Sequence, residues 1–519
     1  MTQPSPPKGP ASDQAASPSP QLALTPEELA NLTAQAQAGQ AEAQLSLGLT
    51  LAMGQRDLKQ AFEWLSLAAA QELPEAQYNL GVCYAQGLGI EPDPVKAADL
   101  FLAAAKWEHA AAQHNLGLCF LDGLGRTPDL RQAVFWLKKA AQNGDAEAQW
   151  RLAELLALGQ GVAEDPLEAV KWLTLAADQG LLPAQLALGT IYDLGQGLTP
   201  DPQKAFAWFL RAAEAGSPEA QVNVAFAYHW GRGVERDRAK AFPWWLKAAE
   251  AGLETAQCAL GSCYALGQGI AQDLTQAAVW FRKAALAGHP GAQFNLAVCL
   301  EKGLGVPQDP TEALVWYHRA AFQGHPQAQA LVGHCLAQGH GLTQDPAKAV
   351  YWYEKAAQKG YAPAQFSLGA HYALGLGLEQ DQTRAVYWFR KSAQSGYPEA
   401  QFALYYCYRE GLGVSQDSPQ AMEWLSRAAL NDHPPAQLEL GYLYEEGVGG
   451  LTRDRKKAVY WYERAAQAGH PVAQTIMALN CQAGTVIRRD PQATREWLEK
   501  AAAQGLERAK ILLDRWDKT

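Results

Sequence analysis

Apolar residues recur along this chain at spacings of three and four, the pattern of amphipathic helices. Glycine cuts these helical stretches at regular intervals. The dipeptide Ala-Gln marks the register, with its glutamine at 44, 77, 113, 149, 185, 221, 257, 293, 329, 365, 401, 437 and 474. The first step is 33, every step from 77 to 437 is 36, and the last is 37. Self-similarity at such a period predicts stacked repeats and overrides any domain count taken from length.

Each unit predicts two helices. In helix A, Leu stands three places and Tyr or Leu seven places after the glutamine, as in Leu80 and Tyr84, Leu188 and Tyr192, and Leu368 and Tyr372. That spacing of four puts both on one face. Pro often opens helix A, as at Pro218 and Pro290, where its missing N–H costs nothing, and Gly-x-Gly closes it. Helix B starts at an Asp such as Asp165, Asp201 or Asp345, whose carboxylate suits an N-cap. Its last turn carries Lys or Arg and a Gly follows. Ala at the start and end of helix B and Gly in the middle of helix A let backbones approach. The tryptophans of helix B, Trp64 and Trp136 through Trp316 to Trp497, are expected to fill the space between them.

These residues resemble the Sel-one-like repeat, a cousin of the tetratricopeptide repeat. The shared pattern is A-x-Q-x-x-L-G-x-x-Y-x-x-G-x-G followed by D-x-x-K-A-x-x-W-x-x-K-A-A-x-x-G, matched closely from Ala292 to Gly324 and from Ala364 to Gly396. The resemblance implies an all-α, right-handed superhelical solenoid of about thirteen helix-turn-helix repeats, with helix A lining the concave side. It also implies an adaptor that holds other proteins, with no catalytic residues to carry over. The expected organisation is a disordered Pro/Ser-rich tail over 1–24, a capping helix over 25–40, repeats over 41–506 and a second capping helix over 507–519. Thr25 and Glu28 resemble a capping box at the start of the first cap.

Charge and composition narrow the function. Net charge is -10 with both signs scattered, so the basic stripe of a nucleic-acid binder is missing. No apolar run approaches a membrane span, and no secretory leader is evident. Cys83, Cys119, Cys263, Cys299, Cys335 and Cys407 share one position per repeat, about 10 Å apart by helix packing and beyond disulfide reach. Buried thiols in a reducing, cytoplasmic setting are the expectation. No P-loop, zinc-protease helix, nucleophile elbow or CxxC pair occurs, so the expectation is a monomeric non-enzyme with no cofactor, no metal, no nucleic acid and no membrane.

The expected partner is a protein or peptide. Positions one, two, five, eight and nine after the glutamine point away from the Leu/Tyr face. Position one holds Tyr78, His114, Trp150, Phe294, Phe366 and Phe402; position two holds Asn79, Asn115, Asn223 and Asn295. Position five holds Phe226, His334, Tyr406 and Tyr442, and position nine holds Trp230. Aromatics there suit anchors, and amides suit an extended peptide backbone. Packing between neighbouring A helices is the competing reading of position one. The functional reading is a scaffold that binds on the concave surface. The alternatives are a regulator of one enzyme acting through a convex or terminal surface and, more weakly, a hydrolase.

Overall fold

The computed structural model describes residues 25–53 and 57–517; the tail expected over 1–24 lies outside the described residues. Among the described residues there are twenty-eight α-helices and no strand. A first helix, Pro26–Gln37, is followed by thirteen A/B pairs and a last helix, Glu507–Trp516, so the chain is an all-α solenoid. It divides into two compact units, one ending at Trp244 and one beginning at Trp245.

Caps set the helix ends. At helix B of the fourth repeat, Pro166–Asp178, the Asp165 carboxylate accepts a hydrogen bond from the Glu168 N–H at 2.9 Å. At the first helix, Thr25 and Glu28 form the reciprocal capping box, with the Thr25 N–H donating to the Glu28 carboxylate at 2.8 Å. Helix A uses histidine for the same task in several repeats: Nδ1 of His109 accepts from the Ala112 N–H at 3.1 Å.

The two glycines of Gly-x-Gly do different work. The first takes the left-handed conformation that ends helix A, as Gly159 does at φ 63°. The second lets its turn approach the preceding repeat. A Cβ on Gly125 would lie 1.9 Å from the carbonyl oxygen of Pro94, at the start of helix B in repeat two (Pro94–Ala105).

Helices A and B of a repeat close on each other through a glycine socket. In repeat five, Gly189 of helix A (Leu182–Leu194) faces the Phe209 ring of helix B (Pro202–Glu214). Gly81 and Phe101, Gly261 and Phe281, and Gly441 and Tyr462 repeat the arrangement. The ring that fills the pair is therefore the residue after the tryptophan. Trp280, Trp316, Trp352 and Trp424 are buried, whereas Trp64, Trp136, Trp172, Trp208, Trp244, Trp388, Trp461 and Trp497 are half-buried. A step of 100° along helix B turns the tryptophan toward its neighbour. Trp352 thus meets Phe322 of the preceding repeat at 5.3 Å between ring centres.

The marker glutamine is buried and ties repeats together. Gln293 donates through Nε2 to the carbonyl of Ala285, at the end of the preceding helix B, at 3.2 Å. Its Oε1 accepts from Gln323, at the end of its own helix B, at 2.9 Å. Asn143 closes the same latch on Gln113, Gln179 on Gln149 and Asn431 on Gln401. Where the residue thirty places on is alanine, as at Ala215 and Ala287, the Oε1 of Gln185 or Gln257 has no protein partner.

Candidate functional site

The face of helix A that points away from helix B separates into residues engaged in stacking and residues open to solvent. At position one the aromatics are half-buried, and four of them are set against the residue that opens the next repeat. Tyr78 stacks on His109 at 4.7 Å, Phe294 on His325 at 4.8 Å, Phe366 meets Tyr397 at 5.7 Å and Phe402 meets His433 at 4.9 Å. His114 Nδ1 lies 3.5 Å from the Asp145 carboxylate, and Trp150 carries the Arg151 guanidinium at 4.2 Å. Burial pushes the Tyr78 hydroxyl pKa up and the His114 pKa down, against the pull of Asp145.

The asparagines of position two diverge. Asn79 donates to the carbonyl of Glu75 in its own helix at 2.7 Å. Asn115 meets the Tyr78 hydroxyl, and Asn295 reaches the Cys258 sulfur at 4.0 Å. Asn223 instead lines an open groove. At position five, Tyr406 packs edge-on to Phe402 and under Arg409, while His334 and Tyr442 are exposed on separate repeats of the second unit.

Three expected residues come together. Asn223, Phe226 and Trp230, all on helix A of repeat six (Pro218–Trp230), line a groove of about 260 Å³. Its floor is Phe206 and Phe209 of the preceding helix B, and its rim is Asp193 and Arg232. Arg232 Nε stands 2.8 Å from the Asp193 carboxylate and a second nitrogen donates to the Asp193 carbonyl at 3.0 Å, which pins the turn of repeat six to helix A of repeat five. Burial, reinforced by Arg238 and Arg236, lowers the pKa of the adjoining His229 and favours its neutral ring.

Position nine stands open to solvent in several repeats. Trp230 is 65% exposed, and the equivalent residues Leu158, Leu194, Leu266 and Leu374 are 67%, 59%, 66% and 67% exposed in their own repeats. These leucines went unnoticed as site candidates because leucine at the end of an amphipathic helix reads as core. Only comparing one column across successive repeats distinguishes them. A second groove of about 280 Å³, in the second unit, is lined by Glu445, Arg455, Tyr462, Asn480 and Thr485, with the Tyr462 hydroxyl donating to Glu445 at 2.7 Å.

The buried thiols are poor nucleophiles. Burial pushes Cys119 and Cys407 up to about 11, so both stay protonated near neutral pH, and neither forms a disulfide. Among the described residues, no group of three His, Cys, Asp or Glu could hold a metal ion, and no helix is long and apolar enough to cross a membrane. The lining of the first groove, Phe206, Phe209, Phe226 and Trp230 with Asn223, Asp193 and Arg232, offers apolar and hydrogen-bonding surface.

The Sel1 repeat profile matches thirteen consecutive segments, from 41–73 and 74–106 to 434–470 and 471–506. The chain is similar to the protective antigen c5321 present in uropathogenic Escherichia coli strains, which displays an SLR fold. That similarity is 35% identity over 87% of this chain and 97% of that one, with a TM-score of 0.69. It is also similar to a Sel1 repeat protein from Oxalobacter formigenes, at 33% identity over 60% of this chain and 92% of that one, with a TM-score of 0.52. No curated protein matches the chain.

Proposed function

We propose, on the premise that this chain belongs to the Sel1 repeat family across residues 41–506, that it is a scaffold binding another protein along the concave side made by the outward faces of its A helices. One observation carries this reading. Phe226 and Trp230 stay open to water at a groove floored by Phe206 and Phe209, and Leu194 and Leu158 are exposed at the position of Trp230 in the two preceding repeats. Exposed apolar residues are ordinary singly, but an aligned row beside a groove is the arrangement of an interaction site.

The chemistry is anchoring. Phe226 and Trp230 offer large, stiff surfaces that lose little entropy on binding, the type of residue that dominates interface energies. Asn223 can donate to and accept from a partner's backbone at once. The Arg232–Asp193 pair holds the rim without ordering by the partner, so less of the binding energy is spent on preorganisation.

Photo-crosslinking tests this reading. A chain carrying Leu194→p-benzoylphenylalanine captures the partner, whereas Tyr351→p-benzoylphenylalanine, on the exposed side of helix B in repeat nine (Pro346–Gln358), does not. Capture only from Tyr351, or only from Ile511 on the last helix, would replace the concave reading by a convex or terminal one.

A further inference from the structure

The second groove is built at the same place in the repeat as the first, from different side chains. It lies where helix A (Pro434–Glu446) and helix B (Arg455–Gln467) of repeat twelve meet helix A (Pro471–Ala483) and the turn of repeat thirteen. Counted along the repeat, Glu445 stands where Asp193 does, Arg455 where Pro202 does and Tyr462 where Phe209 does. Asn480 replaces Ala227, and Thr485 replaces Arg232. The aromatic pair Phe226 and Trp230 has Leu479 and Ala483 as its counterparts. One position of the fold is aromatic in the first unit and polar in the second.

The exchange in the turn frees a charge. In the first groove Arg232 pairs with the Asp193 carboxylate at 2.8 Å. Thr485 has no cation to offer Glu445. The Tyr462 hydroxyl donates to Glu445 Oε2 at 2.7 Å, and Arg453 donates to the Glu445 backbone carbonyl at 2.9 Å rather than to the carboxylate. Among the described residues no cation pairs with that carboxylate, and the Arg455 guanidinium has neither a hydrogen bond nor an ion pair. Asn480 donates through Nδ2 to the Ile476 carbonyl at 3.0 Å, which leaves its amide oxygen to accept. Opposite charges thus line one groove without meeting each other.

That lining selects a ligand. A metal cation would meet Arg455, and a phosphate would meet Glu445. A nucleobase needs a ring to stack on, but the Tyr462 ring is taken up by its socket at Gly441. A volume of about 280 Å³ is at the small end for a ligand site. We propose that this groove binds a small zwitterion with an α-ammonium and an α-carboxylate, a free amino acid or a dipeptide. The ammonium meets Glu445 and the carboxylate meets Arg455, whose planar fork matches two carboxylate oxygens. The Asn480 oxygen and the Thr485 hydroxyl serve its remaining polar groups, and Ala458 and Val459 supply apolar contact. The site lies in the second unit and does not rest on the scaffold reading.

Saturation-transfer NMR on the full chain tests this, with L-alanine and L-alanyl-L-alanine as probes. At least one is expected to bind with a Kd at or below about 1 mM, and the tighter of the two tells the free amino acid from the dipeptide. The N-acetyl form of that probe lacks the ammonium and its amide lacks the carboxylate. Each should bind at least about tenfold more weakly, the loss of one charge-assisted contact. Glu445→Gln keeps an oxygen for the Tyr462 hydroxyl, and Arg455→Pro installs the residue that Pro202 and Pro346 place at the same helix start. Both should melt as the parent does and lose about tenfold in affinity. Thr485→Arg gives Glu445 the turn cation of the first groove and should abolish binding. No saturation by either probe up to about 10 mM, equal binding of the singly charged analogues, or full affinity in all three variants would overturn the assignment.

Discussion

Gly369 is the socket for Phe389: a Cβ on the glycine would lie 2.7 Å from the ring's Cδ1. Helix A of repeat ten (Ala362–Leu374) can meet helix B (Gln382–Gln394) this closely only while that position is bare. Gly369→Ala raises helix propensity by nearly 1 kcal/mol, yet overpacking costs about 1–3 kcal/mol. The variant is therefore expected to be destabilised in chemical denaturation. A gain in stability would mean that the socket has slack.

The glutamine latch makes a prediction of opposite sign. Gln185 and Gln257 leave Oε1 without a protein partner because Ala215 and Ala287 stand where Gln179 and Gln323 close the latch elsewhere. Ala215→Gln and Ala287→Gln are each expected to stabilise the chain by about 0.5–1.5 kcal/mol, the net value of one hydrogen bond. Gln323→Ala should cost about 1–3 kcal/mol by orphaning Gln293. Equal melting curves for all three variants would show that the latch contributes nothing.

Glu72, Glu108 and Asp432 occupy the left-handed position that glycine fills in most repeats, with φ of 61°, 59° and 58°. A side chain there costs about 1–2 kcal/mol. Glu108→Gly is expected to raise stability by about 1 kcal/mol, net of the extra freedom glycine gives the unfolded chain. An unfolding midpoint at or below that of the parent would contradict this.

Histidine caps make stability depend on pH. Nδ1 of His289, His325 and His433 accepts the N–H of Ala292, Ala328 and Ala436, at 3.1, 3.4 and 3.2 Å, which requires an unprotonated Nδ1. Burial pushes all three pKa values below the ordinary one. His289 and Lys359 add to this at His325, and His470 adds to it at His433, while Glu254 and Glu399 pull His289 and His433 upward. The unfolded chain, with histidines near 6.5, then binds more protons than the folded one. The stabilisation is full above about pH 6.5 and is lost as pH falls through the lower folded values. Replacing the three with Asn, which caps without titrating, should flatten the fall in melting temperature between about pH 7 and 5.5. An unchanged slope would assign the fall to other groups.

Much of the fold was legible because caps and glycines act locally. Asp165 accepting from Glu168 and Gly159 at φ 63° follow from residue type and position alone. The glycine socket was harder to assign. Tryptophan's size drew attention to Trp388, whereas the ring in the socket is Phe389, and only the packed helix pair separates two adjacent aromatics. The site divides in the same way. Asn223, Phe226 and Trp230 were visible as polar or aromatic residues on an outward face, whereas Tyr78 and Phe294 looked identical until His109 and His325 were seen stacked on them. Side-chain direction can be read from helical period, but what the next repeat places opposite cannot.

The affinity of a captured partner for variants of the two faces tests the central claim most directly. Phe226→Ala and Trp230→Ala should each weaken binding by about 2 kcal/mol, roughly thirtyfold, with the melting curve of Trp230→Ala unchanged. Tyr351→Ala and Tyr387→Ala, exposed on helix B, should leave affinity within about twofold of the parent. Normal binding by the first pair and loss of binding by the second would contradict the account and move the partner to the opposite face.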